Sequence, residues 1–150
     1  MNGESKLAAV VRNRIAQLHE IAPGSIGDQM AYEVLKSDGE DKVRLRCQTY
    51  DWMRNGPGTL HGGMCATVVD QAMGFVAYCI KPGEGIAPTV QMQVEYHRSL
   101  IPGEGVIVDV HVVSRTRSLM HLYCEAYSEH SPEKVSLTAS ATYFYKPSEL

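Results

Sequence analysis

Residues 55–74 read NGPGTLHGGMCATVVDQAMG. A loop of glycine and proline leads into His61, Gly62 and Gly63, and from Gly63 to Ile80 the chain is almost wholly apolar with one formal charge, Asp70. A run of this length without proline reads as a helix, from about His61 to Cys79, and Lys81-Pro82-Gly83 ends it. Its length approaches that of a membrane span. Asp70, Gln71 and the internal glycines speak against one, because a charge at mid-bilayer is costly. The stretch reads instead as the core helix of a soluble domain.

The rest of the chain fits one domain over residues 1–150. A length of 150 residues, 44% hydrophobic and 21% charged, suffices for a single buried core. A net charge of −3 gives no bulk electrostatic support to nucleic-acid binding. Cys47, Cys65, Cys79 and Cys124 are widely spaced in apolar contexts and form no CxxC pair. Reduced thiols in a cytoplasmic protein are therefore expected. The N-terminus lacks the order of regions that marks a signal peptide. The histidines show neither an HxxEH nor an HxH pattern, so no metal site is expected. No Gly-Lys-Ser/Thr follows the glycines, so they do not form a phosphate-cradling loop.

Outward from the core helix, periodicity assigns the remaining elements. Leu7, Val10, Val11, Ile15 and Leu18 recur at helical spacing, which predicts an amphipathic helix from about Ser5 to Glu20, stopped by Pro23-Gly24, within an N-terminal extension of residues 1–26. Two strands follow, with Val43, Leu45 and Cys47 alternating and Asp38-Gly39 supplying the turn. Beyond the core helix lie four strands of about ten residues each. Their inward sets are Val90, Met92, Val94 and Tyr96; Val106 to Val112; Met120 to Ala126; and Val135 to Tyr145. Alternation of this kind predicts an antiparallel sheet with one covered face. Laid against a single apolar helix, it makes an α+β layer architecture.

The chemistry concentrates in the opening stretch. A helix N-terminus offers unpaired N–H groups, and Gly62 and Gly63 leave that end open to a polarised carbonyl oxygen. Asp70 is a candidate general base or nucleophile. Gly62 and Asp70 are eight positions apart, about 12 Å along a helix, too far for one helix to deliver both to the same atom. Two copies packed antiparallel about a two-fold could bring one chain's Asp70 to the other's Gly62, in an isologous dimer with composite sites. Plainer roles exist for each residue. Asp70 could satisfy backbone donors, Thr59 or His61 could cap the helix, and Asn55 could be a turn residue. Cys65 and His61 share a helical face, although a small buried cysteine is the commoner outcome. Arg98, Arg115 and Arg117 fall at strand ends, either as solvated turn charges or as a clamp for a phosphorylated ligand.

Asn55, His61-Gly62-Gly63 and Asp70, in this strand order, resemble the PaaI-like group of hotdog-fold acyl-CoA thioesterases. The resemblance covers about Gly27 to Lys146. It implies a long central helix wrapped by a curved antiparallel sheet, with hydrolysis of an acyl-CoA (aromatic or medium-chain) to a free acid and coenzyme A. It further implies that Asp70 activates water or attacks the thioester, and that the Gly62 N–H polarises the carbonyl. By the same resemblance Asn55 helps bind the water or leaving group, His61 orients it, and Thr89 positions the water. The Arg115–Ser118 turn resembles a segment that contacts the nucleotide end of coenzyme A, so that Arg98, Arg115, Arg117 and Ser118 become its candidate binding residues. No metal and no cofactor beyond the substrate's coenzyme A is implied. The family's sites lie between subunits, in dimers often paired into tetramers. Two other readings stand beside this one: a non-catalytic acyl-CoA sensor, and a hotdog enoyl-thioester hydratase or dehydratase, which would need an Asp/His pair at short spacing. The N-terminal helix lies outside the core motif, where it could cover the sheet or an interface, or close the acyl pocket.

Overall fold

A computed structural model describes residues 3–37, 39–81, 83 and 85–147. Asp38 of the expected hairpin turn and Pro82 of the expected helix stop lie outside the described residues. Helix α1 spans Lys6–Ile21, and the Ser5 hydroxyl caps it by accepting from the Ala8 N–H at 3.1 Å. Leu7, Ala8 and Val11 are its buried face. Val10, expected with them, is 40% exposed. A one-turn helix, α2 (Ile26–Gln29), follows. Its Gly27 is buried, and a Cβ there would meet the Leu18 side-chain methyl at 2.8 Å, so a larger residue would have to displace the ends of Leu18 and Gln71.

Strands β1 (Glu33–Lys36) and β2 (Lys42–Gln48) come next, then a 3-10 turn at Asp51–Met53 and helix α3, Gly62–Ile80. After α3 run β3 (Gly85–Ile86), β4 (Thr89–Tyr96), β5 (Gly105–Arg115), β6 (Leu119–Ser128), β7 (Leu137–Phe144) and β8 (Lys146–Pro147). Six strands form one antiparallel sheet in the order β1-β2-β5-β6-β7-β4, and β3 pairs with β8 in a small second sheet. The long sheet wraps α3, whose Val68, Val69, Ala72, Met73 and Ala77 are fully excluded from solvent. Each large apolar side chain buried this way contributes about 1.5–3 kcal/mol, which outweighs the weak helix preference of the glycines and valines in α3. Among the described residues α3 is the one helix long and apolar enough to cross a membrane; here it is the wrapped core.

The sheet departs from simple alternation in ways that matter for the site. Val135 precedes β7 and is not in a strand, and β4 and β7 are eight residues long. In β4 the register against β7 passes from Thr89↔Tyr143 to Gln91↔Thr142, so Val90 is an extra residue in a bulge. Uninterrupted alternation would put Val90 inside and Thr89 outside with Gln91. The bulge reverses the parity, leaving Val90 60% exposed and bringing Thr89 opposite the inward Tyr143. Tyr96, also expected on the covered face, is 54% exposed at the far end of this edge strand.

Candidate active site

Three hydroxyls anchor α3 to its surroundings. Tyr32 donates to the Val68 carbonyl at 2.7 Å, Tyr96 to the Gly62 carbonyl at 2.7 Å, and Tyr143 to the Asp70 carbonyl at 3.0 Å. The single Tyr143 proton is shared between that carbonyl and Asp70 Oδ1, which lies closer at 2.8 Å, and Thr89 Oγ1 donates to the same carboxylate oxygen at 2.8 Å. Asp70 is thus held by two neighbouring strands, β7 and the bulged start of β4. Oδ1 carries both bonds, and Oδ2 takes no bond from any described residue. Burial first, and the Asp70 charge second, push Tyr143 far above an ordinary tyrosine, so its hydroxyl stays a donor across the working range of pH. The Asp70–Thr89–Tyr143 group lines one end of a cavity of about 400 Å³, with Phe75, Tyr78 and Arg14 further along.

The first turn of α3 faces a different space. His61 is the N-cap, and its Nδ1 accepts from the Gly63 N–H at 2.9 Å. An accepting Nδ1 carries no proton, so in the neutral ring the hydrogen sits on Nε2. With Gly63 capped, the Gly62 N–H has no partner among the described residues. Asn55 forms the loop that delivers this end: its Oδ1 accepts from the Thr59 N–H at 3.0 Å, and its Nδ2 donates to Thr59 Oγ1 at 2.9 Å. Gly58, at φ +92, closes the loop in a conformation that L side chains rarely adopt. Asn55, Gly62, Tyr96 and Arg98 line a cavity of about 300 Å³, separate from the one that holds Asp70. Within one chain the structure joins Asp70 to Thr89, and Asn55 to Gly62 and His61. It does not join the two sets.

The basic residues also divide. Arg98 sits by the α3 N-terminus. The Arg117 carbonyl accepts from Lys81 at the other end of the helix, and the Ser118 carbonyl accepts from the Tyr145 N–H at 2.8 Å. Nineteen helical residues separate these ends by roughly 28 Å. Arg115 is paired with Asp41 in an ion pair on the surface. The Arg115–Ser118 turn is therefore not one clamp with Arg98 in a single chain, and Arg115 is engaged by a carboxylate.

No thiol is poised to react. All four cysteines are free and buried. Burial pushes Cys65 up to about 11, and its Sγ points to the Leu60 carbonyl at 3.7 Å rather than to His61. Among the described residues no group of three or more His, Cys, Asp or Glu could hold a metal. In the sequence Tyr143 reads only as one more inward residue of the last strand. The available signal was its polar tip in a column otherwise of Leu137, Ala139 and Ala141, since a buried tyrosine hydroxyl needs a partner.

A helix wrapped by one antiparallel sheet, with a buttressed carboxylate and an open helix N-terminus, is the hotdog architecture of thioesterases. The family model of the thioesterase superfamily matches residues 57–135, and the chain belongs to that superfamily. The human acyl-coenzyme A thioesterase 13 is 31% identical over 87 residues, covering 57% of this chain and 60% of its own length, and the mouse protein is 29% identical over the same length. The chain thus spans less than two thirds of these relatives. The PaaI protein of E. coli superposes with a TM-score of 0.75 at 13% identity, over 93% of this chain and 95% of that one. A thioesterase family protein from Silicibacter pomeroyi gives 0.75 at 22%, over 95% and 99%. A hypothetical thioesterase protein from Streptococcus pneumoniae, solved with coenzyme A, gives 0.65 at 19%, over 78% and 91%. These structural likenesses speak to the fold.

Proposed function

We propose that the protein is a thioester hydrolase that cleaves an acyl-CoA, with an aromatic or medium-chain acyl group, to the free acid and coenzyme A. The observation that carries this reading is the Asp70 carboxylate, fixed through Oδ1 by Thr89 and Tyr143, with no bond to Oδ2 from any described residue, lining a cavity of about 400 Å³. Membership of the thioesterase superfamily and the acyl-CoA thioesterases among its relatives support the choice of thioester over other carbonyl substrates. The coenzyme A held by the Streptococcus pneumoniae neighbour supports the thiol half.

In this reading the thioester carbonyl oxygen lies at the Gly62 N–H, where the helix N-terminus stabilises charge as the tetrahedral intermediate forms. Asp70 Oδ2 takes the proton of an attacking water, or itself attacks to form an anhydride that water then cleaves. The coenzyme A thiolate leaves in either case and is protonated. Asn55 and His61 shape the loop that presents Gly62, and Thr89 steadies both Asp70 and the water. Arg98, Arg117 and Ser118 remain candidates for the nucleotide end.

Because the Asp70 set and the Gly62 set line separate cavities, the reading requires a second copy of the chain, whose Gly62 meets this chain's Asp70. The long β4 edge, with Val90 exposed, supports such an assembly, since apolar sheet edges are seldom left uncovered. Four buried free thiols support a reducing, cytoplasmic setting. The test is thiol release from a panel of acyl-CoAs by wild type and by Asp70→Asn. Turnover that falls by orders of magnitude in a folded variant is the expected result. Wild-type turnover in that variant would end the role of Asp70, and binding without release by the wild type would make the protein a sensor instead.

A further inference from the structure

The cavity that holds Asp70 has a second charged residue at its other end. Arg14, contributed by α1 from outside the core motif, lines it together with Leu18 and Tyr78. The guanidinium carbon lies 4.3 Å from the centroid of the Tyr78 ring. Tyr78 is eight positions beyond Asp70 on α3, about 12 Å along the axis. The cavity is therefore negative where the thioester reacts and positive about one medium-length acyl chain away.

Arg14 forms no ion pair with any described residue. Its companion is the face of the Tyr78 ring. The cation–π contact with Tyr78 holds the guanidinium beside the ring and uses none of its N–H donors in an ion pair. The planar fork of donors matches a carboxylate, which can accept two of them at once. An alkyl end offers those donors nothing, and an aromatic end without a polar substituent offers them no acceptor.

We infer that Arg14 is a specificity-determining residue that selects acyl groups whose far end carries a carboxylate. This rests on the hydrolase reading above and names its substrate class: mono-CoA thioesters of dicarboxylic acids. The carboxylate docks against Arg14 while the thioester carbon lies at Asp70, so the acyl chain spans the cavity lengthwise over Phe75 and Gly74.

Octanoyl-CoA and the mono-CoA thioester of octanedioic acid differ only at the far end, and their kcat/KM ratio isolates it. Wild type should favour the carboxylate-bearing substrate by about tenfold or more, the range of a hydrogen-bonded charge in a partly solvated site. Arg14→Leu should remove that preference through KM, and Arg14→Lys should restore part of it. Calorimetric binding of the two thioesters should show the same order. A wild-type preference for octanoyl-CoA, or a ratio unchanged by Arg14→Leu, would overturn the inference and leave the hydrolase reading standing. Hydrolysis of neither substrate, nor of an aromatic acyl-CoA run beside them, would refute the hydrolase reading itself, and equal binding of both C8 thioesters would refute the role of Arg14 independently.

Discussion

Replacing Tyr143 by phenylalanine tests how Asp70 is held. The change removes one of two hydroxyl donors, each 2.8 Å from Asp70 Oδ1, and keeps the ring that packs in the core. A hydrogen bond to a charged group contributes about 1.5–3 kcal/mol, and each 1.4 kcal/mol of lost transition-state stabilisation is about tenfold in rate. Thr89 still holds the same oxygen in the variant, so the lower end applies and kcat should fall about tenfold. Thr89→Val should cost about as much, because Tyr143 then holds Oδ1 alone. The double variant frees the carboxylate to turn about its own torsion, and its loss should exceed about a hundredfold, more than the product of the single losses. Thermal unfolding of the single variants should show no more than about 3 kcal/mol of destabilisation, the upper worth of one hydrogen bond to a charged group. The assay is thiol release from acyl-CoA at saturating substrate. A folded Tyr143→Phe variant with wild-type kcat, or strictly multiplicative losses in the double variant, would refute the claim that these hydroxyls orient the reacting group.

Two further outcomes follow from the geometry. A Cβ on Gly62 would meet nothing closer than the Tyr96 ring at 3.7 Å, so Gly62→Ala should fold with an unchanged Tm; its turnover should nevertheless fall, because the methyl occupies the approach of a carbonyl to the N–H. Hydrogen bonds from Arg46, chiefly, and from the Gly105 N–H hold Glu129 below its ordinary value of 4.5. The folded state gains from this carboxylate fully above that value and loses the gain as pH falls through the lowered one. Urea midpoints followed from neutral to acid pH should therefore fall less in Glu129→Gln than in wild type, and parallel curves would contradict the assignment.

How far the site was legible depended on which physical rule governed each residue. The helical core was plain because an apolar run bounded by glycine and proline has few other uses, and α1 and β2 followed from clean periodicity. The roughly 12 Å offset between Gly62 and Asp70 already separated them, and the two cavities of the folded chain keep that separation. Thr89 was reached by resemblance alone. Periodicity would have turned it outward, because a one-residue bulge leaves no mark in an alternating pattern. Tyr143 was hidden for a related reason: its role depends on the β4–β7 register, a long-range pairing that local sequence does not encode. Arg115 pairs at the surface with Asp41, a partner distant in sequence that strand periodicity does not reveal.

In the proposed mechanism one chain supplies Asp70 and another supplies the Asn55–Gly62 end of the same site. The most direct measurement mixes two inactive proteins, Asp70→Ala and Asn55→Ala, after unfolding and refolding them together. Random pairing makes about half of the dimers heterodimeric, each with one intact site of two, so about a quarter of wild-type activity should return. No recovery from a mixture shown to contain heterodimers would mean that each chain completes its own site, and the shared-site account would be wrong.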